Sequence, residues 1–345
     1  MAQPSNPFSF IYKTASPPSQ TQAVLGRASF GGRFTSYSGM GRKLRYIPEG
    51  GALVEVTCRT FHSHFLLRPG GDLDGIIVGV LGRAQRLYEV RCCGYMWASN
   101  HFHLLLDVDN ARQLAKFMCY VNSKIAREIS RLHGWTEKIW SRRYQAIVIS
   151  DEDGAQIARL KYLLANGCKE GLVARPQDWP GVHVAKALIQ DEDLTGYWFD
   201  RTREYAAHNR GEAFGPLQYA TLETLYLSPL PCWKHLPKDV WRARALGLIQ
   251  EIEEEAAAER ARTGDQPLGP AAILAQHPLD RPKNSKKSPA PLFHAASARV
   301  RRELWEGYRL FVAAFRQAAE RLRAGDRDAV FPLGSFPPAL PFVGG

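Results

Sequence analysis

The 345-residue chain carries 45 Lys and Arg against 34 Asp and Glu, a formal net charge of +11, and 45% of its residues are hydrophobic. That apolar share excludes a wholly disordered protein, and the length allows one large core or two domains; the cationic excess suits a polyanion such as nucleic acid, or is a solvated basic surface. Six cysteines lack C-x-x-C spacing and no run nears the roughly 20 apolar residues of a membrane span, which argues against a zinc knuckle, a disulfide scaffold or a transmembrane protein and points to a cytoplasmic one with reduced thiols.

Residues 1–45 are rich in Ser, Gly, Pro and Gln and read as a poorly ordered tail. Within it, Met40 opens "MGRKLRYIPEGG", a plausible alternative start. Order is expected from about Gly51. "ALVEVTCRT" alternates and is β-branched, which predicts a strand. Residues 72–88 space their apolar side chains along one helical face. "YEVRCCGYMW" and "HFHLLLDV" predict two further strands, with Ser99-Asn100 as the hairpin turn between them. Residues 110–132 predict a long amphipathic helix capped by Asn110. "YQAIVIS" predicts a fourth strand, and residues 151–167 a helix closed by Asn166-Gly167.

The order β-α-β-β-α-β-α contains the six elements of a split β-α-β unit. It predicts an α+β fold: a ferredoxin-like, four-stranded antiparallel sheet with helices on one face, spanning residues 46–190. Residues 191–345 are expected to form a mainly α-helical region. Its helices fall at 239–262 and 296–325, with a Pro/Lys-rich linker near 263–294 and a proline-rich tail.

The pair of imidazoles in "NHFHLLL" is the candidate site. On a strand, His101 and His103 point to one face and Phe102, Leu104 and Leu106 to the other. Two imidazoles on an open sheet face suit one metal ion, though H-x-H also arises as a solvated pair. A second H-x-H, His62 and His64, lies at a strand end without a tyrosine partner and reads as a decoy.

Three blocks in order, "NHFHLLL", "WSRRYQAIVI" and "RLKYLLANGCKEGLVARPQDWP", resemble the REP-associated tyrosine transposases of the HUH superfamily. The resemblance covers roughly residues 45–185. It implies a metal-dependent single-stranded DNA endonuclease and strand transferase. A divalent ion, Mg2+ or Mn2+, would be held by His101, His103 and an amide side chain, Asn166 by residue-for-residue match. Tyr162 would attack a scissile phosphate to give a 5′-phosphotyrosine and a free 3′-hydroxyl. The expected partners are DNA hairpins of palindromic repeats with single-stranded flanks. Oligomeric state stays open: smaller insertion-sequence relatives look like homodimers, REP-associated ones like monomers. One departure stands out, because Gly167-Cys168 replaces the Pro-Val that usually follows the asparagine. That raises a second reading, a domesticated hairpin-binding protein that does not cut. A hydrolase of small phosphoesters is a third.

Residues four apart share a helix face, so Tyr162 and Asn166 can look together toward the histidines. A free tyrosine has a pKa of about 10 and needs activation to attack. Tyr144 and Tyr120 are the rival nucleophiles, and both also read as packing residues. Between Arg112 and Arg143 lie eight Lys or Arg and two acids. Lys124, Arg127 and Arg131 share a side of the long helix, and Lys138, Arg142 and Arg143 interleave with Trp135, Trp140 and Tyr144. Basic groups track phosphates and aromatics stack on unpaired bases, although the tryptophans read equally as core. Arg159, one turn before Tyr162, is placed to steady the scissile phosphate or is a surface residue. "KNSKK" (283–287) is a basic linker that could touch DNA.

Overall fold

A computed structural model describes residues 43–212, 215–282 and 291–338. Most of the N-terminal tail and the "KNSKK" run lie outside the described residues. The architecture is mixed α+β, built on a five-stranded sheet of order β2-β3-β1-β4-β7. Strands β1 (Ala52–Arg59), β2 (Arg91–Ala98), β3 (His101–Val108) and β4 (Gln145–Ile149) pair antiparallel, with Arg59 opposite His101 and Thr57 opposite both His103 and Gln145.

Helix α1 (Gly71–Tyr88) ends where Glu89, the second residue of the stretch expected as strand, turns left-handed. Helix α2 (Ala111–His133) starts as its sequence predicts: the Asn110 side chain accepts hydrogen bonds from the N–H groups of Arg112 and Gln113. Gly134, with φ of 60°, adopts the left-handed turn that closes α2. Both helices lie over the face that carries Phe102, Leu104 and Leu106. There Trp97 stacks on Phe102 at 4.3 Å, and Trp140 meets Phe102 edge-on at 5.6 Å while its indole N–H donates to the Asn122 carbonyl of α2.

The opposite face was expected to be open, and it is covered. Helix α3 (Asp153–Leu164) lays Leu160 and Leu163 against Leu105 and Gly94, where the glycine leaves room for them. Helix α3 also ends earlier than Asn166-Gly167 would suggest: it breaks at Ala165, and Asn166 opens a separate turn, α4 (Asn166–Lys169). Helix α5 (Val184–Gln190) continues this layer, and the long α7 (Lys238–Thr263) packs on α3 and α5.

The region expected as mainly helical also supplies strands. β5 (Leu194–Phe199) and β6 (Ala220–Leu225) form a two-stranded sheet, with α6 (Arg201–Asn209) between them. This hairpin lies backbone-to-backbone on α1. A Cβ on Gly79 would sit 2.3 Å from the Tyr197 carbonyl carbon, and one on Gly82 would sit 2.6 Å from the Thr224 oxygen. The stretch expected as linker holds α8 (Pro270–Leu274) and β7 (Phe293–His294), which joins the main sheet parallel to β4. Helix α9 (Ala298–Arg323) closes the chain. Among the described residues, all six cysteines are free and no helix is long and apolar enough to cross a membrane.

Candidate active site

The pleat of β3 sends His101 and His103 to the α3 side, together with Glu55 of β1. The Glu55 side chain is buried and three groups converge on it. Its Oε1 lies 2.9 Å from Nδ1 of His103, and its Oε2 lies 2.6 Å from Nη2 of Arg159 and 3.4 Å from Nε2 of His294. Burial alone would push the Glu55 carboxyl up. The hydrogen bonds from His103 and His294, with the charges of His103 and Arg159, outweigh it and hold the group well below the usual carboxylate range. An ionised carboxylate only accepts, so Nδ1 of His103 carries the proton of that hydrogen bond, and Nε2 takes no part in it.

His101 is fixed in the same sense. Its Nδ1 lies 2.7 Å from the Asn100 amide oxygen, which again leaves Nε2 free. The two rings stand 5.1 Å apart between centroids, at 78°. Burial, then the neighbouring His103 and Arg59, push the His101 imidazole well below its ordinary value, which favours the neutral, ligating form.

Tyr162 reaches the same place from α3, with its ring centred 5.9 Å from that of His103. Two cations flank the phenol: the Arg159 guanidinium carbon lies 4.0 Å from the ring centre and Nζ of Lys169 lies 5.3 Å away. Asn166, past the break at Ala165, is buried, and its Nδ2 finds no partner among the described residues. The rival tyrosines are packed elsewhere. Tyr144 is buried with its hydroxyl pushed up to about 12 by that burial, and Tyr120 leans on Tyr88 at 5.9 Å. In the second H-x-H, the His64 ring contacts Trp135 and its Nδ1 meets the Leu279 carbonyl.

The basic residues divide between two regions. Arg142 and Arg143 are exposed in the loop before β4, at the end of the sheet where Arg59 sits opposite His101; the Ser141 N–H donates to the Arg59 carbonyl there. Lys138 is exposed nearby, its ammonium 4.3 Å from the Phe61 ring centre. On α2, Lys124 lies 5.6 Å from the Trp198 ring centre, Arg127 is exposed, and Arg131 is 3.9 Å from Glu204. Trp140 is half-buried, its ring against Phe102 and its indole N–H on the Asn122 carbonyl. Sequence reasoning missed Glu55, Arg59 and His294. The first two carried a signal, since the alternation of "ALVEVTCRT" puts Glu55, Thr57 and Arg59 on one face.

Residues 71–163, just over a quarter of the chain, match the family model described as "Transposase IS200 like". The resemblance to the tyrosine transposases holds on that segment. It takes in His101, His103 and Tyr162 and stops short of Asn166. Among solved structures, a REP-associated tyrosine transposase bound to a REP hairpin is 18% identical, with 44% of this chain and 86% of that one covered at a TM-score of 0.34. A putative transposase from Deinococcus radiodurans R1 is 16% identical, with 35% of this chain and 93% of that one covered at a TM-score of 0.25. No curated protein matches the chain.

Proposed function

We propose that the protein is a metal-dependent single-stranded DNA endonuclease and strand transferase that uses Tyr162 as its nucleophile. The family match supports a transposase-like role in DNA processing. The observation that carries the finer reading is the meeting of His101, His103 and Tyr162 on one sheet face, with both Nδ1 atoms engaged and both Nε2 atoms left over. We read β1 to β4, in the order β2-β3-β1-β4, as a ferredoxin-like core that presents this face.

The residues present fit a divalent ion. Metal-ligating imidazoles usually donate the other ring N–H to a carboxylate or carbonyl, and Glu55 and Asn100 take those places. Among the described residues no group of three His, Cys, Asp or Glu could hold an ion by itself, and the resemblance implies an amide side chain as third ligand. Asn166 suits it, because its amide atom without a partner can be the oxygen after a flip. His101, His103 and Asn166 would hold Mg2+ or Mn2+, and the ion would polarise the scissile phosphate as a Lewis acid.

The protein's own side chains do the rest. Arg159 and Lys169 flank the Tyr162 ring where an anionic phosphate must approach. The Tyr162 oxygen bonds to phosphorus as the bond to the 3′-oxygen breaks. The phenol gives up its proton and the departing 3′-oxygen gains one. The resulting 5′-phosphotyrosine conserves the phosphodiester energy for strand transfer. Lys138, Arg142 and Arg143, joined by Arg59, would hold the flanking strand at the His101 end, while Lys124, Arg127 and Arg131 offer a second basic track along α2.

An adduct assay tests this reading. Labelled hairpins with single-stranded flanks are incubated with protein and Mn2+ and run on a denaturing gel. A shifted covalent band is expected, and it disappears in Tyr162→Phe, in His101→Ala and with chelator. Stability of Tyr162→Phe stays within about 0.5 kcal/mol of the parent. Binding without any band would favour the non-cutting hairpin-binding protein.

A further inference from the structure

The carboxylate that orients His103 is itself held from the far end of the chain. His294 lies about 130 residues after Tyr162, in a stretch with no strand signal of its own. Its position is nonetheless set closely by the backbone. Val148 of β4 donates its N–H to the Leu292 carbonyl at 3.1 Å, and the Ser150 N–H donates to the His294 carbonyl at 2.8 Å. Beyond β7, the Glu152 carboxylate accepts the N–H groups of Ala296 at 2.8 Å and Ser297 at 3.0 Å, and Ser297 caps α9. Phe293 is buried between Tyr46, Trp305 and Tyr308. These contacts leave the His294 imidazole pointing into the sheet face, with Nε2 3.4 Å from the Glu55 oxygen that Arg159 also engages.

We propose that His294 is a positioning residue of the active site: the C-terminal strand carries it to Glu55, and through Glu55 it fixes the ring of His103. The proposal rests on the reading of His101 and His103 as the pair that holds the ion. The Glu55 carboxylate sits among three groups, with Oε1 on His103 at 2.9 Å and Oε2 between Arg159 at 2.6 Å and His294 at 3.4 Å. With His294 gone, Oε2 keeps only the Arg159 guanidinium, and the carboxylate is free to turn toward it. The Oε1 bond to Nδ1 of His103 then weakens, and with it the preference for the tautomer that leaves Nε2 open. A docked C-terminal region thereby becomes part of the catalytic unit.

The test reads His103 directly in metal-free protein. Long-range proton–nitrogen spectra of histidine-labelled protein report which ring nitrogen bears the proton. The parent is expected to hold His103 as the Nδ1–H form. His294→Ala should move a measurable share to Nε2–H and weaken Mn2+ binding, followed by calorimetry, by about tenfold, the low end for groups that orient ligands. His294→Gln keeps an N–H donor and should restore most of both. Glu152→Ala loosens the docking of residues 291–297 without touching the cluster and should shift the tautomer in the same direction. It also serves as the comparison if His294→Ala does not fold. An unchanged His103 tautomer in folded His294→Ala or Glu152→Ala overturns the proposal. Parent protein that binds no Mn2+ would instead overturn the metal reading, and the tautomer spectra would still decide the role of His294.

Discussion

The two faces of β3 do different work. On one, Phe102, Leu104 and Leu106 are fully buried, and Phe102 stacks on Trp97 and meets Trp140 edge-on. On the other, one residue out of step, His101 and His103 join Glu55, Arg159, His294 and Tyr162 in a polar cluster, with Glu55 and His103 buried and the rest half-buried. The first face holds the sheet together by excluding water. The second tolerates buried charge because each charged group has a partner. On the reading proposed above, a strand that alternates strictly stabilises the fold with one face and carries the chemistry with the other. Phe102→Ala tests the division most severely. It empties the stack with Trp97 and should cost about 3–5 kcal/mol in urea denaturation, while the protein that remains folded still forms the covalent DNA adduct. A stable Phe102→Ala protein that had lost the adduct would break the division.

His183 sharpens the contrast from the polar side. It bridges to Met96, which lies opposite His103 in register, so it borders the same face. Yet its ring does the reverse job. Nδ1 of His183 accepts the Ala185 N–H at 3.1 Å and caps α5, whereas Nδ1 of His103 donates to a carboxylate. Burial, then the nearby Lys186, push the His183 imidazole down to about 3. A folded value below the unfolded one, about 6.5, means that the unfolded chain binds the extra proton between those two values. Stability from this group is therefore complete above about pH 6.5 and falls as the pH drops toward 3. Between pH 7.5 and pH 5 the loss should be about 2 kcal/mol. His183→Asn keeps a cap without a titrating ring, so urea denaturation at the two pH values should show a flatter dependence. An equally steep one would assign the acid sensitivity elsewhere.

The sequence displayed the histidine face of β3 more clearly than what covers it. The alternation of "HFHLLLDV" gives β3 its observed limits and separates His101 and His103 from Phe102. Asn110 announces α2 and caps it. The i to i+4 spacing of Tyr162 and Asn166 placed both near the histidines on one continuous helix, but the backbone breaks at Ala165, between them. Long-range partners were illegible for physical reasons. Glu55 is a charge in a buried strand whose partners lie 48 and 104 residues away. Strand β7 has two residues, too few to leave a period, and it pairs with β4 from a stretch whose composition is that of a linker. Gly79 and Gly82 read as ordinary helix interior, although they are what lets the β5-β6 backbone lie on α1.

The smallest expected effects concern the basic surface, and they set how far the functional face extends. Arg142 and Arg143 are exposed beside Arg59, at the His101 end of the sheet. Each replacement by alanine should leave stability within about 0.5 kcal/mol and lower the slope of log affinity against log salt by about 1, as expected for one lost phosphate contact. At saturating DNA the rate of adduct formation should not change, because neither side chain touches the reacting atoms. Lys124 makes the useful control. Its ammonium lies 5.6 Å from the Trp198 ring centre and 5.7 Å from that of Tyr120, above the helices of the apolar face. Lys124→Ala should change the salt slope by less than either arginine variant. A drop as large as theirs would carry the DNA around α2 and make both sides of the sheet part of the interface, leaving only the buried residues of the apolar face to the fold alone.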